Sequence, residues 1–495
     1  MSSKAKHKRT PAPSPARVRL ATATATAAAL TGGLLAVSAG AASAATPDVA
    51  ASDADFNGDG YADLAASASH AYVGGHANAG QIAVVYGGAV STHRVVLSQN
   101  SAGVPGSAES GDYFGADSAY GDFDGDGYDD LLVGAPGEDV GSDADGGTAA
   151  ILWGSANGLT GGTTIADPRP TAHDGFGAPV EAGDFDGDGK DDLAVGANNK
   201  DTVDILRGGV SRTAGAAKHS VVTVPVISDT GAGVWNLHSG DANGDGKDDL
   251  IVNGYAKDGG YNANFWLPGT SSGPSASGAV RLQQGIITDL GDTDSDGYDD
   301  IVIGNVWSAS GGKQNSGAVY VVRGTPSGPD TSGHSTFTQN VAGIPGSSET
   351  DDNFGSELDL GDVNGDGHLD LIVGAPGEDL TGGTDTGAAW VLYGKADGTG
   401  IAAQGALFLE QNNAYVPNDN EKNDYFGSDV HIDDLNGDGR GEAYVGASGE
   451  NGSNGAVYPV RINPDGTLAA SSGLYTSTFG ISASGTPRLG ANFTD

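Results

Sequence analysis

Residues 122–130 read DFDGDGYDD and place acidic side chains at the first, third, fifth and ninth positions of a nine-residue stretch. Gly125 and Gly127 let the backbone turn tightly enough for those carboxylates to converge. Carboxylates so close repel one another unless a cation sits among them. A hard cation such as calcium takes six to eight oxygens at about 2.3–2.6 Å, and such a loop supplies them, the carbonyl of Tyr128 included. An EF-hand would need Glu at the twelfth position and a helix beyond it. The twelfth residue here is Val133, inside DLLVGAP, an apolar run too short for a helix and bounded by Gly and Pro. That context reads as loop then strand.

The stretch occurs seven times. By position one, three, five, seven and nine, the expected ligands of the first copy are Asp55, Asn57, Asp59, Tyr61 and Asp63. The second copy offers Asp122, Asp124, Asp126, Tyr128 and Asp130, and the third Asp184, Asp186, Asp188, Lys190 and Asp192. Asp241, Asn243, Asp245, Lys247 and Asp249 form the fourth, and Asp292, Asp294, Asp296, Tyr298 and Asp300 the fifth. The sixth has Asp362, Asn364, Asp366, His368 and Asp370, and the seventh Asp434, Asn436, Asp438, Arg440 and Glu442. Residues at position seven are expected to coordinate through the backbone carbonyl, which leaves the His368 ring free. Up to seven structural calcium ions are expected.

A fixed long period marks a repeat architecture. Successive loops start about 50 to 70 residues apart, averaging about 63, which suits a four-stranded propeller blade with some long connections. The expected fold is an all-β, seven-bladed β-propeller over residues 45–495. In the second unit strand A is expected in FGADSAYGDF, strand B in DLLVGAP, strand C in GGTAAILWGS and strand D near GTTIAD. The first loop has too little chain before it for a strand A. Residues 489–493, LGANF, parallel residues 114–118, FGADS, and are expected to complete the first blade and close the ring.

Residues 1–44 read as a secretory signal peptide: Lys4, Lys6, Lys8, Arg9, Arg17 and Arg19 precede an Ala/Leu/Val-rich stretch and the small residues Ala42, Ser43 and Ala44. That stretch is too Ala/Thr-rich for a membrane anchor, and no later segment resembles one, so a soluble secreted monomer is expected. The chain has no cysteine, leaving metal as the staple of an exported fold. The formal net charge of −41 argues against nucleic-acid and anionic-membrane partners. With 84 glycines and regular apolar runs between acidic loops, the composition is that of a β protein rather than a disordered one.

Phe-Gly stands before the loop at residues 114–115, 176–177, 354–355 and 426–427, and Gly-Ala-Pro after it at 134–136 and 374–376. Looser forms follow at Gly196-Ala197-Asn198 and Gly446-Ala447-Ser448, while the fourth and fifth units lack Phe-Gly. This pairing resembles the FG-GAP repeat of the integrin α-subunit β-propeller, over essentially all of residues 45–495. The resemblance implies a seven-bladed propeller with calcium in its A–B hairpins. No leg domains, inserted adhesion domain or membrane span are evident, so the resemblance implies adhesion only by analogy.

Catalytic signals are weak. The GxSxG pattern at Gly269-Thr270-Ser271-Ser272-Gly273 lies in a Gly/Ser/Pro loop without the strand-to-helix elbow a nucleophile needs. The ten histidines show no zinc spacing. GPI-specific phospholipases join such repeats to a separate catalytic domain, for which residues 45–54 are too few. The function expected is a non-catalytic binding or adhesion module for an extracellular protein or glycan. The alternative is a carbohydrate-active protein, either a lectin or a calcium-dependent lyase or hydrolase.

Three related connections start QN at Gln99, Gln339 and Gln411 and read as stereotyped inter-blade turns or binding elements. In an antiparallel blade the A–B and C–D turns share one end, and the B–C and D–A connections the other. Aromatic residues in the latter, Tyr72, Tyr255, Tyr261, Trp307 and Tyr415, are the candidate ligand-face residues.

Overall fold

The computed structural model describes residues 54–494 except 89–92, 173, 214, 217, 260 and 261. Residues 1–44, expected to be a signal peptide, and Tyr261 therefore lie outside the described residues. The rest forms seven antiparallel sheets in sequence order, the seven blades of a propeller. Blade two is typical, with strands A to D at Ser118–Gly121, Asp130–Ala135, Thr148–Trp153 and Thr160–Ile165. Strand D thus starts slightly before the GTTIAD segment expected for it.

B strands are buried along their whole length because both faces of each sheet are covered by neighbouring blades. Asp130–Ala135, Asp300–Asn305 and Asp370–Ala375 are buried at every residue. The core accordingly lies between blades: Ile287, Val302 and Val319 of blade five meet Phe354, Leu371 and Trp390 of blade six. The C-strand aromatics serve that packing. Trp390 is fully buried, edge-on to Phe354 and Phe408, and donates its indole N–H to the Pro345 carbonyl at 2.9 Å.

The paired Phe-Gly and Gly-Ala-Pro motifs have a joint cause. Gly115 donates its N–H to the Gly134 carbonyl at 2.9 Å, and Gly355 to Gly374 at 2.9 Å, so the two motifs pair across strands A and B. Phe114 meanwhile donates to Ala79 of the preceding blade, where a Cβ on Gly80 would lie 2.2 Å from the Phe114 carbonyl oxygen. Only glycine permits that approach.

Inner strands leave an edge facing the axis, and acidic side chains cap it. Asp117 accepts the Val180 N–H at 2.8 Å, Asp289 that of Leu360 at 2.8 Å, Asp359 that of Ile432 at 2.6 Å and Asp429 that of Phe493 at 2.7 Å. Each of these bonds crosses from one blade to the next.

The ring closes through the C-terminal segment as expected. Ala66 bridges Phe493, Ser67 donates to the Asn492 carbonyl at 2.8 Å, and Thr494 donates to Ala65 at 3.0 Å. Leu489 and Phe493 are fully buried in the core of the first blade. Blade one is therefore built from both ends of the described chain.

Candidate metal centres

All seven A–B loops share one internal design. Asp122 accepts the N–H groups of Gly125 and Asp126 at 2.8 and 3.0 Å on one oxygen and that of Gly127 at 2.9 Å on the other. Asp55, Asp184, Asp241, Asp292, Asp362 and Asp434 likewise accept N–H groups from the fifth and sixth loop residues. The first carboxylate thus fixes the loop's curvature, with the glycines at positive φ.

The ninth residue starts strand B, or in blade one stands just before it, and is buried. Asp130 accepts the Gly154 N–H at 2.7 Å and the Phe123 N–H at 3.2 Å. The glycine ending strand C makes the same bond to Asp63, Asp192, Asp249, Asp300 and Asp370. Burial pushes Asp63, Asp130, Asp249 and Asp370 up to about 8, and Asp192, Asp300 and Glu442 up to about 7. The loop's other carboxylates push the same way. A cation among them reverses that balance.

Position three divides the loops. Where it is Asp, ligand oxygens converge within 4.8 Å: Asp122, Asp124 and Asp130; Asp184, Asp186 and Asp188; Asp292, Asp294 and Asp296. In the other four it is Asn. The Asn243 amide donates to both oxygens of Asp249 at 3.1 and 3.3 Å, and Asn364 to both of Asp370 at 3.3 and 3.1 Å. Asp124 Oδ1, Asp192 Oδ2, Asp294 Oδ1 and Glu442 Oε2 are buried without a hydrogen-bond donor. Asp124 and Asp294 belong to converging sets, and their orphaned oxygens fit a hard cation, which residues one, three, five and nine and the seventh carbonyl would hold.

Two contacts between loops escape a reading confined to positions one, three, five, seven and nine. The seventh side chain covers the fourth-position glycine of the preceding loop: Tyr128 over Gly58, Tyr298 over Gly244 and Tyr61 over Gly437. The eighth residue reaches the same neighbour. Asp129 accepts the Asp55 N–H at 2.9 Å, Asp191 that of Asp122 at 2.9 Å, Asp248 that of Asp184 at 2.7 Å and Asp299 that of Asp241 at 3.0 Å. The signal was present as Asp-Asp at positions eight and nine of four loops.

Arginines supply local counter-charge. At the end of strand C, Arg207 pairs with Asp186, Arg323 with Asp294 at 3.0 Å and Arg461 with Glu442 at 3.6 Å. Arg212 comes from the C–D turn of blade three but pairs with Asp124 and Asp126 of blade two.

Of the candidate aromatic residues, Tyr72, Tyr255, Trp307 and Tyr415 occupy connections at the other end of the strands. Tyr72, Trp307 and Tyr415 are 39%, 42% and 61% exposed. Tyr255 is half-buried against Trp235, with ring centroids 4.5 Å apart. Trp235 sits where the register between Val234–Gly240 and Asp249–Gly254 slips between Val234 and Asn236, so a β-bulge turns its indole outward. A bulged strand with a Trp stands in blade four where Phe-Gly is missing.

The three QN connections are struts. Gln339 donates to Glu378 at 2.6 Å and Gln411 to Glu450 at 2.6 Å, and Gln99 makes the same bond to Glu138. Each thereby ties a D–A connection to the B–C loop of the next blade. The Gly269–Gly273 segment is a tight C–D turn in which Thr270 bonds the Gly273 carbonyl at 2.8 Å, leaving Ser271 and Ser272 exposed. His431 is buried between Asp359 at 3.1 Å and Asp433 at 2.6 Å and belongs to the inner ring of strands. Among the described residues no helix is long and apolar enough to cross a membrane.

The FG-GAP repeat family model matches residues 47–85, 114–152, 176–211, 285–322 and 354–392. Blades four and seven fall outside those matches although their loops have the same design. The chain is 43% identical over 96 residues to integrin alpha-5 of Xenopus laevis, covering 19% of this chain and 8% of that protein. It is 28% identical over 304 residues to integrin alpha-PS2 of Drosophila melanogaster, covering 59% and 18%. Phosphatidylinositol-glycan-specific phospholipase D of Dictyostelium discoideum is 27% identical over 186 residues, covering 32% and 19%. The chain thus spans less than a fifth of the length of each of these relatives.

Proposed function

The chain is an integrin-α-like β-propeller of FG-GAP repeats, and from that premise we infer that it works outside the cell as a calcium-loaded, non-catalytic binding module. One observation carries this reading: the acidic loops gather at one end of the strands, while connections bearing exposed aromatic residues gather at the other. Calcium staples the first end and leaves the second for an extracellular protein or glycan. Tyr72, Tyr255, Tyr261, Trp307 and Tyr415 are the proposed contacts, joined by Trp235. Flat aromatic surfaces on connections held by a rigid scaffold suit sugars and peptides alike.

The test is an array of glycans and matrix proteins probed with residues 45–495, with and without calcium. Once a ligand is identified, Trp307→Ala and Tyr261→Ala should weaken binding without moving the melting temperature, and Asp124→Ala should do the reverse. Loss of binding confined to calcium-loop variants that still fold would overturn the face assignment. The phospholipase relatives keep a hydrolytic reading in view. Turnover of a phosphatidylinositol glycan, or release of ultraviolet-absorbing product from a uronate polymer, would replace the binding reading with a catalytic one.

A further inference from the structure

The calcium loops differ in the counter-charge the chain itself supplies. Among the described residues no arginine pairs with the first, fourth or sixth loop, whereas loops two, three, five and seven each hold one or more. Loop two is singular because its arginine belongs to another blade.

Arg212 sits at the tip of the turn joining strands Thr202–Leu206 and His219–Thr223 of blade three, closed by paired backbone bonds between Ser211 and Gly215. From there its Nε meets Asp124 and its Nη2 meets Asp126 at 2.6 Å, the ligands at positions three and five of loop two. The guanidinium lies 5.0 Å from the centroid of Trp153, at the end of strand C of blade two. The Trp153 indole donates to Thr163 Oγ1 at 3.0 Å, which donates to the Arg212 carbonyl at 2.7 Å. The turn is therefore docked on blade two through its backbone as well as its charge.

A guanidinium spanning the carboxylates at positions three and five occupies the charge that calcium would neutralise, and two cations so close repel. We propose that Arg212 is a built-in competitor for calcium at loop two, making that loop a weaker and switchable site that releases the Arg212 side chain when it loads. This rests on the calcium reading above. Coupling of this kind is reciprocal, so calcium loosens the arginine by the factor by which the arginine weakens calcium. The thermodynamic link then joins metal occupancy in blade two to the docking of a blade-three turn.

Trp153 provides the reporter. Terbium, which binds oxygen-rich calcium sites, would emit on excitation of a tryptophan beside it, and the part of the emission lost in Trp153→Phe would identify loop two. Terbium is titrated into the wild-type chain, Arg212→Ala and Arg212→Gln, with circular dichroism melting to confirm that each variant is folded. Both Arg212 variants should bind at loop two at least about fivefold more tightly than wild type, the lower end of ordinary site-to-site coupling. Terbium emission sensitised at loop four, where Trp266 donates to Asp249 at 2.7 Å, should titrate unchanged. Unchanged or weaker affinity at loop two in both variants would overturn the competition while leaving the calcium reading intact. Absence of any Trp153-dependent signal in all three chains would overturn both for this loop.

Discussion

Asp129 accepts the backbone N–H of Asp55 at 2.9 Å, so the second acidic loop holds the first residue of the loop before it, 74 positions earlier in the chain. Three more such bonds carry the relation through blade five: Asp191 to Asp122, Asp248 to Asp184 and Asp299 to Asp241. The relation stops where the eighth residue is Leu369, Gly441 or Ala62. Asp129→Ala leaves the Asp55 N–H without its acceptor at a half-buried site. It should cost about 1–2 kcal/mol, measured as a lower denaturant midpoint with an unchanged slope. Asp129→Asn retains an acceptor oxygen and should cost less.

Metal removal should have a far larger effect. Each independent site at tenfold saturation stabilises the fold by about 1.4 kcal/mol, so seven together contribute on the order of 10 kcal/mol. Excess EDTA should lower the melting temperature by well over ten degrees. A melting curve unmoved by EDTA would sink the calcium assignment.

The ninth-position carboxyls set opposite pH trends for the two forms. With folded values near 7 to 8 against about 3.9 to 4.3 in the unfolded chain, the metal-free fold retains protons that the unfolded chain releases. Metal-free stability should therefore fall as pH rises from about 4 to about 8. Calcium binds the ionised carboxylates, so the loaded protein should instead lose stability as pH drops below about 7 and protons displace the metal. Denaturant midpoints across that range, in EDTA and in calcium, separate the two. Parallel trends would refute the assignment of these groups as ligands.

Removal of residues 486–495 takes Leu489 and Phe493 out of the first core and exposes the inner edge of Leu64–Ala68. The shortened chain should aggregate, or be cut by protease within residues 54–88. A monomeric truncation as stable as the full chain would mean that the ring closes in another way.

The loops, the blade count and the closing segment were legible because each repeats a local pattern. Spacing within nine residues brings Asp122, Asp124 and Asp130 together, with Asp126 left out of that set, and the unpaired first loop dictated a partner for it. The contacts of Asp129, Arg212 and Gln339 were not legible, because each depends on which blade lies alongside. Arg212 reaches Asp124 across 88 positions, and Gln339 reaches Glu378 across 39. The recurrence of that 39-residue interval at Gln99 and Gln411 shows that the information was periodic, though its meaning was not local. Trp235 escaped for another reason: a bulge reverses the side to which a strand residue points, and alternation cannot reveal it.

Ala66 and Phe493 meet across nearly the full length of the described chain, and that sets an order of events. During synthesis the blade built first must wait, lacking its inner strand, while six others form. Its missing strand emerges only after the strands of those six. The slowest loop to close, in entropy and in time, is thus the one on which the circle depends. Completion of the ring is thus a molecular check that synthesis has run at least as far as Phe493.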